Sequence, residues 1–182
     1  DFLLQNRAWE VKRSPANLKY NIQPSWLKLP EGQSLGPIAG VATDSQNRVF
    51  VFHRGEETAP VLCFSHRGNL LFSWSHLSFN QPHMVHCDKD DNVWLVDDSD
   101  HIIYKLSPAG QILLTLGKRG EPGVDKTHFN RPTDIAFNSR GEMYVSDGYE
   151  NKRIVKFDAD GKYIRQWGCL GDGPGEFLLP HA

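Results

Sequence analysis

Two histidines set the terms for any chemistry in this chain. His83 and His181 each follow a proline and each opens a copy of a segment that recurs at Pro37, Pro82, Pro132 and Pro180. The copy between them carries Thr133 at the same place. Imidazole is the commonest protein metal ligand and a proton carrier near neutral pH. A single histidine at a strand start is ordinarily a surface or hydrogen-bonding group, but two at one repeat position in alternate copies favour a shared task. His53, His66, His76, His86, His101 and His128 lack that register and read as structural or solvated.

The copies recur every ~45 to 50 residues, the spacing of a propeller or similar array. Each opening is followed by a polar turn and an apolar run, at Val49 to Phe52, Val93 to Val96 and Met143 to Val145. A third run follows a loop, at Val61 to Phe64, Ile102 to Leu106 and Ile154 to Phe157, and leads into Gly68, Gly110 and Gly161. A last strand ends at Trp74, Leu116 or Trp167. Four short strands joined by Gly, Asn and Asp turns make one propeller blade, and no stretch has a helical period. The expectation is an all-β chain of about three four-stranded blades. Antiparallel strands return to the end where they began, so loops after second strands share a rim with the starts of first strands. Arg54, Asp98 and Tyr149 are thereby predicted to share one mouth with His83 and His181.

The runs Pro132 to Ala136 with Asp147 to Phe157, and Pro82 to Val85 with Asp98 to Leu106, resemble NHL repeats over roughly residues 36–182. That implies an NHL-type β-propeller. Propellers close with about four to eight blades, so three blades and the start of a fourth at Pro180 are expected to be the N-terminal part of a longer protein. A dimer of half-propellers is the alternative. An open half would leave an unpaired strand edge, to be covered by the remaining blades. Residues 1–35, with Phe2, Trp9, Tyr20 and Trp26, are expected to pack on or close the propeller, and burial of Trp9 and Trp26 would fit.

In a six-bladed ring, histidines on every second blade approach the axis about 120° apart. Three such imidazoles suit a catalytic zinc, which keeps a fourth position open. The third would fall near position ~280, beyond this chain. A closer resemblance then emerges from Phe52 to Gly55, Pro82-His83, His128 to Asp134, Val145 to Phe157 and Phe177 to His181. In order and spacing these are similar to the peptidyl-α-hydroxyglycine α-amidating lyases. The resemblance implies a six-bladed propeller that uses zinc, with a structural calcium ion, to split a small peptide or N-acyl-α-hydroxyglycine into an amide and glyoxylate. It implies that His83 and His181 are zinc ligands, Tyr149 the catalytic phenol, and Arg54 the catalytic group that binds the substrate carboxylate. An arginine fork suits a carboxylate, and a phenol near a metal and a guanidinium can serve as a base. The animal lyases carry a disulfide around the tyrosine's loop, where this chain has Asn130 and Glu150, which implies a microbial or divergent relative.

Without the family match, Tyr149 could be a packing aromatic and Arg54 a solvated rim charge. Asp97, Asp98 and Asp147 read as turn-capping carboxylates, and Lys152 and Arg153 as generic to the repeat. A net charge of −2 argues against a nucleic-acid surface, and Lys118, Arg119 and Lys126 are too few to reverse that. Cys63, Cys87 and Cys169 form no CxxC pair, so buried structural thiols are expected. No apolar run is long enough to span a membrane, and the first 30 residues lack signal-peptide architecture. The resemblance implies a secreted or secretory setting for the whole protein. The competing reading is a noncatalytic propeller that binds a protein or peptide through its rim.

Overall fold

The structure, a computed structural model, describes residues 23–182, so Phe2, Trp9 and Tyr20 lie outside the described residues. Twelve strands form three four-stranded antiparallel sheets, and no helix occurs among the described residues. The first blade comprises β1 (Ile38–Thr43), β2 (Val49–His53), β3 (Val61–Phe64) and β4 (Leu70–Trp74). The second comprises β5 (Pro82–Cys87), β6 (Val93–Asp97), β7 (Ile102–Leu106) and β8 (Ile112–Gly117). The third comprises β9 (Asp134–Phe137), β10 (Met143–Asp147), β11 (Arg153–Phe157) and β12 (Tyr163–Trp167). In each sheet the strands hydrogen-bond in chain order, as a propeller blade requires.

The middle strands of the first two blades are buried on both faces because those sheets are covered on both sides, whereas β10 and β11 of the third alternate buried and half-buried residues, with one face covered. Phe50, Phe52, Val61 and Cys63 of the first blade pack with Val85, Leu95 and Tyr104 of the second. Trp94, Val96 and Ile103 of the second pack with Ile135, Val145 and Phe157 of the third. The outer edges interlock in a repeated way. An added Cβ at Gly110 would lie 2.6 Å from the Trp74 ring, and one at Gly161 would lie 2.9 Å from Leu114 and 3.4 Å from Leu116. The turn of each blade thus receives the end of the preceding blade's last strand. Gly68 of the first blade receives Trp26 in the same manner, and the Trp26 indole donates to the His66 carbonyl at 3.0 Å. The half-buried Trp26 therefore occupies, on the first blade, the place that Trp74 takes on the second.

Register corrects one point of the repeat alignment. Pro82 pairs with Asp97 and Met84 with Val96, which leaves His83 as the extra residue of a bulge. In the first blade Ile38 pairs with His53 and Gly40 with Phe52, so Ala39, not Ile38, stands where His83 does. Pro37 is one residue out of step with Pro82 because the first opening is one residue longer. In the third blade Asp134 pairs with Ser146, which puts Thr133 at the equivalent place, as the sequence indicates.

The thiols also divide. Cys63 is buried and Cys87 half-buried, and burial pushes them up to about 11 and about 12 respectively. Cys169 is exposed, so it is not the buried thiol expected from the sequence.

Candidate functional site

The last residue of every second strand builds the loop that follows it. His53, Asp97 and Asp147 occupy this position and are each fully buried. His53 Nδ1 accepts from Gly36 N at 3.2 Å and Gly55 N at 2.9 Å, while its Nε2 donates to the Ala59 carbonyl at 2.8 Å. The Asp97 carboxylate accepts from the backbone N–H groups of Asn80, Gln81, Ser99 and Asp100. Asp147 accepts from Asn130 N, the Asn151 amide and Arg153 Nε, the last at 2.8 Å. Asp97 and Asp147 are thus the loop-capping carboxylates that the sequence suggests, and Arg153 is the buried counter-charge of Asp147. Backbone donors that would otherwise be orphaned are satisfied inside, and the residues just beyond, Arg54, Asp98 and Tyr149, are fixed at the rim.

The bulge aims His83 at that rim, where extra residues commonly redirect a side chain. His181 arrives by a separate route. The Pro180 carbonyl accepts from Thr133 Oγ1 at 3.1 Å and lies where an added Cβ on Gly148 would be 1.6 Å away. Only a residue without a side chain admits that approach. Thr133, which stands in register with His83, therefore anchors the segment that carries the second histidine.

The two imidazoles converge. His83 Nε2 and His181 Nε2 each lie 3.0 Å from the Tyr149 hydroxyl oxygen, and the two rings are 4.8 Å apart between centroids. A phenol has one proton, so Tyr149 donates to one imidazole and accepts from the other. His83 is buried, His181 exposed and Tyr149 half-buried, so the cluster opens to solvent on one side. Burial and then the nearby His181 hold His83 below its ordinary pKa of 6.5, while Thr133's backbone and Asp98 oppose the shift. His83 Nδ1 is buried and has no hydrogen-bond partner among the described residues.

Arg54 is exposed, and its Nε donates to the Pro82 carbonyl at 2.8 Å, immediately before His83. It borders a cavity of about 300 Å³ lined also by His53, Glu56, Phe79 and Pro82. The larger cavity, about 560 Å³, lies among Asp88, Trp94, Lys105 and Asn138 at the opposite end of the sheets, away from the histidines. Asp98 departs from the turn-capping expectation: its carboxylate accepts from Ser99 Oγ and from Arg131, the latter at 3.3 Å. Arg131 itself was missed. Its guanidinium lies 4.6 Å from the centre of the Tyr149 ring.

Two convergent imidazole Nε2 atoms suit two positions of a tetrahedral zinc site, which they would fill in place of their hydrogen bonds to the Tyr149 hydroxyl. Among the described residues no group of three or more His, Cys, Asp or Glu side chains could hold a metal. The remaining histidines sit elsewhere. His86 Nε2 pairs with Asp134 at 2.6 Å between the first strands of the second and third blades, and His128 pairs with Asp125. No helix among the described residues is long and apolar enough to cross a membrane.

Comparison with known proteins agrees with this architecture. The NHL repeat family matches residues 129–157. The solved streptogramin B lyase superposes with a TM-score of 0.60 at 15% identity, over 82% of this chain and 45% of that one. At such identity the likeness shows the fold alone. The peptidyl-glycine alpha-amidating monooxygenase of Mus musculus is 36% identical over 81% of this chain and 18% of its own length. Peptidyl-alpha-hydroxyglycine alpha-amidating lyase 2 of Drosophila melanogaster is 34% identical over 84% of this chain and 43% of that protein. The probable lyase pgal-1 of Caenorhabditis elegans is 28% identical over 82% of the chain. The chain spans half or less of each of these three relatives, down to 18% of the mouse protein. With its NHL repeat, its propeller blades and these relatives across most of its length, the chain is a homologue of the peptidyl-α-hydroxyglycine α-amidating lyases.

Proposed function

We propose that the protein containing this chain is a zinc-dependent lyase that cleaves a peptidyl-α-hydroxyglycine, or a related N-(α-hydroxyalkyl) amide, to a peptide amide and glyoxylate. The observation that carries this reading is the meeting of His83 Nε2 and His181 Nε2 at the Tyr149 hydroxyl, 3.0 Å from each. Homologues named for peptide amidation supply the reaction class.

His83 and His181 would supply two zinc ligands, with the third from outside this chain, and the ion would lend Lewis-acid acidity to a bound hydroxyl. The chain's own groups account for the rest. Arg54, tethered by Nε to the Pro82 carbonyl, presents the remainder of its guanidinium to the substrate carboxylate. Tyr149 lies between the two histidines, where it takes the proton of the α-hydroxyl. The carbon–oxygen bond becomes the aldehyde carbonyl as the carbon–nitrogen bond breaks, and the electron pair passes to the amide nitrogen. As it accepts that proton, Tyr149 hands its own hydroxyl proton to this nitrogen, so no water is consumed and the phenol is regenerated.

The test is glyoxylate release from an α-hydroxyglycine peptide by the full-length protein, before and after chelation. Release that chelator abolishes and zinc restores is expected, with Tyr149→Phe slower by roughly 10²–10⁴-fold, the usual share of acid–base catalysis. Absence of release from zinc-loaded protein would overturn the reading and favour a noncatalytic peptide-binding propeller.

A further inference from the structure

We infer that Arg131 is a positioning residue that holds the Tyr149 ring between the two histidines, with Asp98 as its anchor. This inference rests on the lyase reading above for its effect on catalysis, but its geometry stands alone. The guanidinium carbon lies 4.6 Å from the Tyr149 ring centre, an ordinary cation–π approach. On its other side, Nε and Nη2 both reach Asp98 Oδ1 at 3.3 Å. The Asp98 side chain is almost wholly buried and Arg131's is partly exposed, so Arg131 is the charge that makes a buried carboxylate tolerable. Glu150, next to the tyrosine, lies 4.0 Å away and adds attraction from the loop itself.

The backbone is equally specified. Arg131 has φ 61°, in the left-handed region, immediately before Pro132. A bulky residue ahead of proline is normally extended, and such exceptions persist only where the surroundings hold them. His101 Nδ1 accepts the Arg131 N–H at 3.1 Å, and the Tyr149 N–H donates to the Arg131 carbonyl at 3.3 Å. Side chain and main chain of Arg131 thus grip the same tyrosine, one on the ring and one on the backbone. Lys152 completes the loop by donating to the Tyr149 carbonyl. The phenol end is left free to meet both imidazoles. Asp98 belongs to the second blade and Tyr149 to the third, so the arrangement carries register from one blade to the next.

A residue that only aims the phenol should alter turnover and not substrate affinity. In the full-length protein, Arg131→Met is expected to lower kcat by about 10–100-fold with KM changed less than about twofold, the range for supporting groups around a reacting one. Arg131→Lys should recover part of the loss, because an ammonium can sit over the ring but cannot match the guanidinium against Asp98. Asp98→Asn should behave like Arg131→Met. A crystal structure of Arg131→Met should show the Tyr149 oxygen beyond hydrogen-bond reach of at least one histidine. Unchanged kcat, or a loss confined to KM as for a carboxylate-binding arginine, would overturn the inference. So would a Tyr149 hydroxyl still 3.0 Å from Nε2 of both histidines. If the wild-type protein releases no glyoxylate, the lyase reading fails, and the ring position in the variant still decides the role of Arg131.

Discussion

His53 illustrates what burial does to one side chain at this rim. Its Nδ1 faces two backbone N–H donors and its Nε2 donates to a carbonyl, so only the neutral ring fits. Burial lowers its pKa from the ordinary 6.5. The unfolded chain takes up a proton near pH 6.5 while the folded ring resists until lower pH. The stability that His53 contributes is therefore complete above about pH 6.5 and is lost as pH falls through the depressed folded value. Urea midpoints measured between about pH 7.5 and pH 5 should decline in the wild type and decline less in His53→Gln. Some decline should persist in the variant because burial shifts His83 in the same direction. An identical decline in both proteins would remove His53 from the account. The sequence marks His53 only as structural or solvated, since its partners come from Gly36, Gly55 and Ala59, and no local pattern joins those positions.

At the level of elements, the loops after second strands and the segment leading to His181 decide whether the site assembles. Gly148 is the narrow point. A methyl group there would meet the Pro180 carbonyl, which Thr133 also holds. Gly148→Ala is expected to cost about 1–3 kcal/mol, the usual range for overpacking, and to swing His181 away from His83. Zinc affinity should fall by at least about 10-fold, measured by competition with a chromophoric chelator; an unchanged affinity would show that Pro180 does not set the histidine. Much of this level was legible beforehand. The third strands at Val61 to Phe64 and Ile102 to Leu106 have the limits that their largely apolar runs indicate, because middle strands buried on both faces are mostly apolar, with Lys105 the polar exception. The bulge at His83 was not legible, since an extra residue leaves no mark in composition. Arg131 escaped for a related reason: the second blade has Gln81 in the corresponding place, and the arginine's significance depends on Asp98 and Tyr149 arriving from two other loops.

Over the whole molecule, radial repetition turns sequence distance into proximity. His83 enters from the second blade, Tyr149 from the third and His181 from beyond it, yet their rings stand 4.8 to 5.5 Å apart. Blade-to-blade contacts make this possible, with Trp74 on Gly110 and Leu114 and Leu116 on Gly161 setting each sheet against the one before, while Trp26 packs on Gly68 of the first. The repeat period and the antiparallel order of strands alone predict that these residues share one mouth. They could not supply the hydroxyl bridge, which depends on the rotation of each side chain. The central claim is that His83 and His181 hold one ion in common, and the most direct measurement is the zinc content of the full-length protein and of its His83→Ala and His181→Ala forms by mass spectrometry. About one zinc per wild-type chain, lost in either variant while the fold persists, is the expected result. Zinc content unchanged by both substitutions would contradict it.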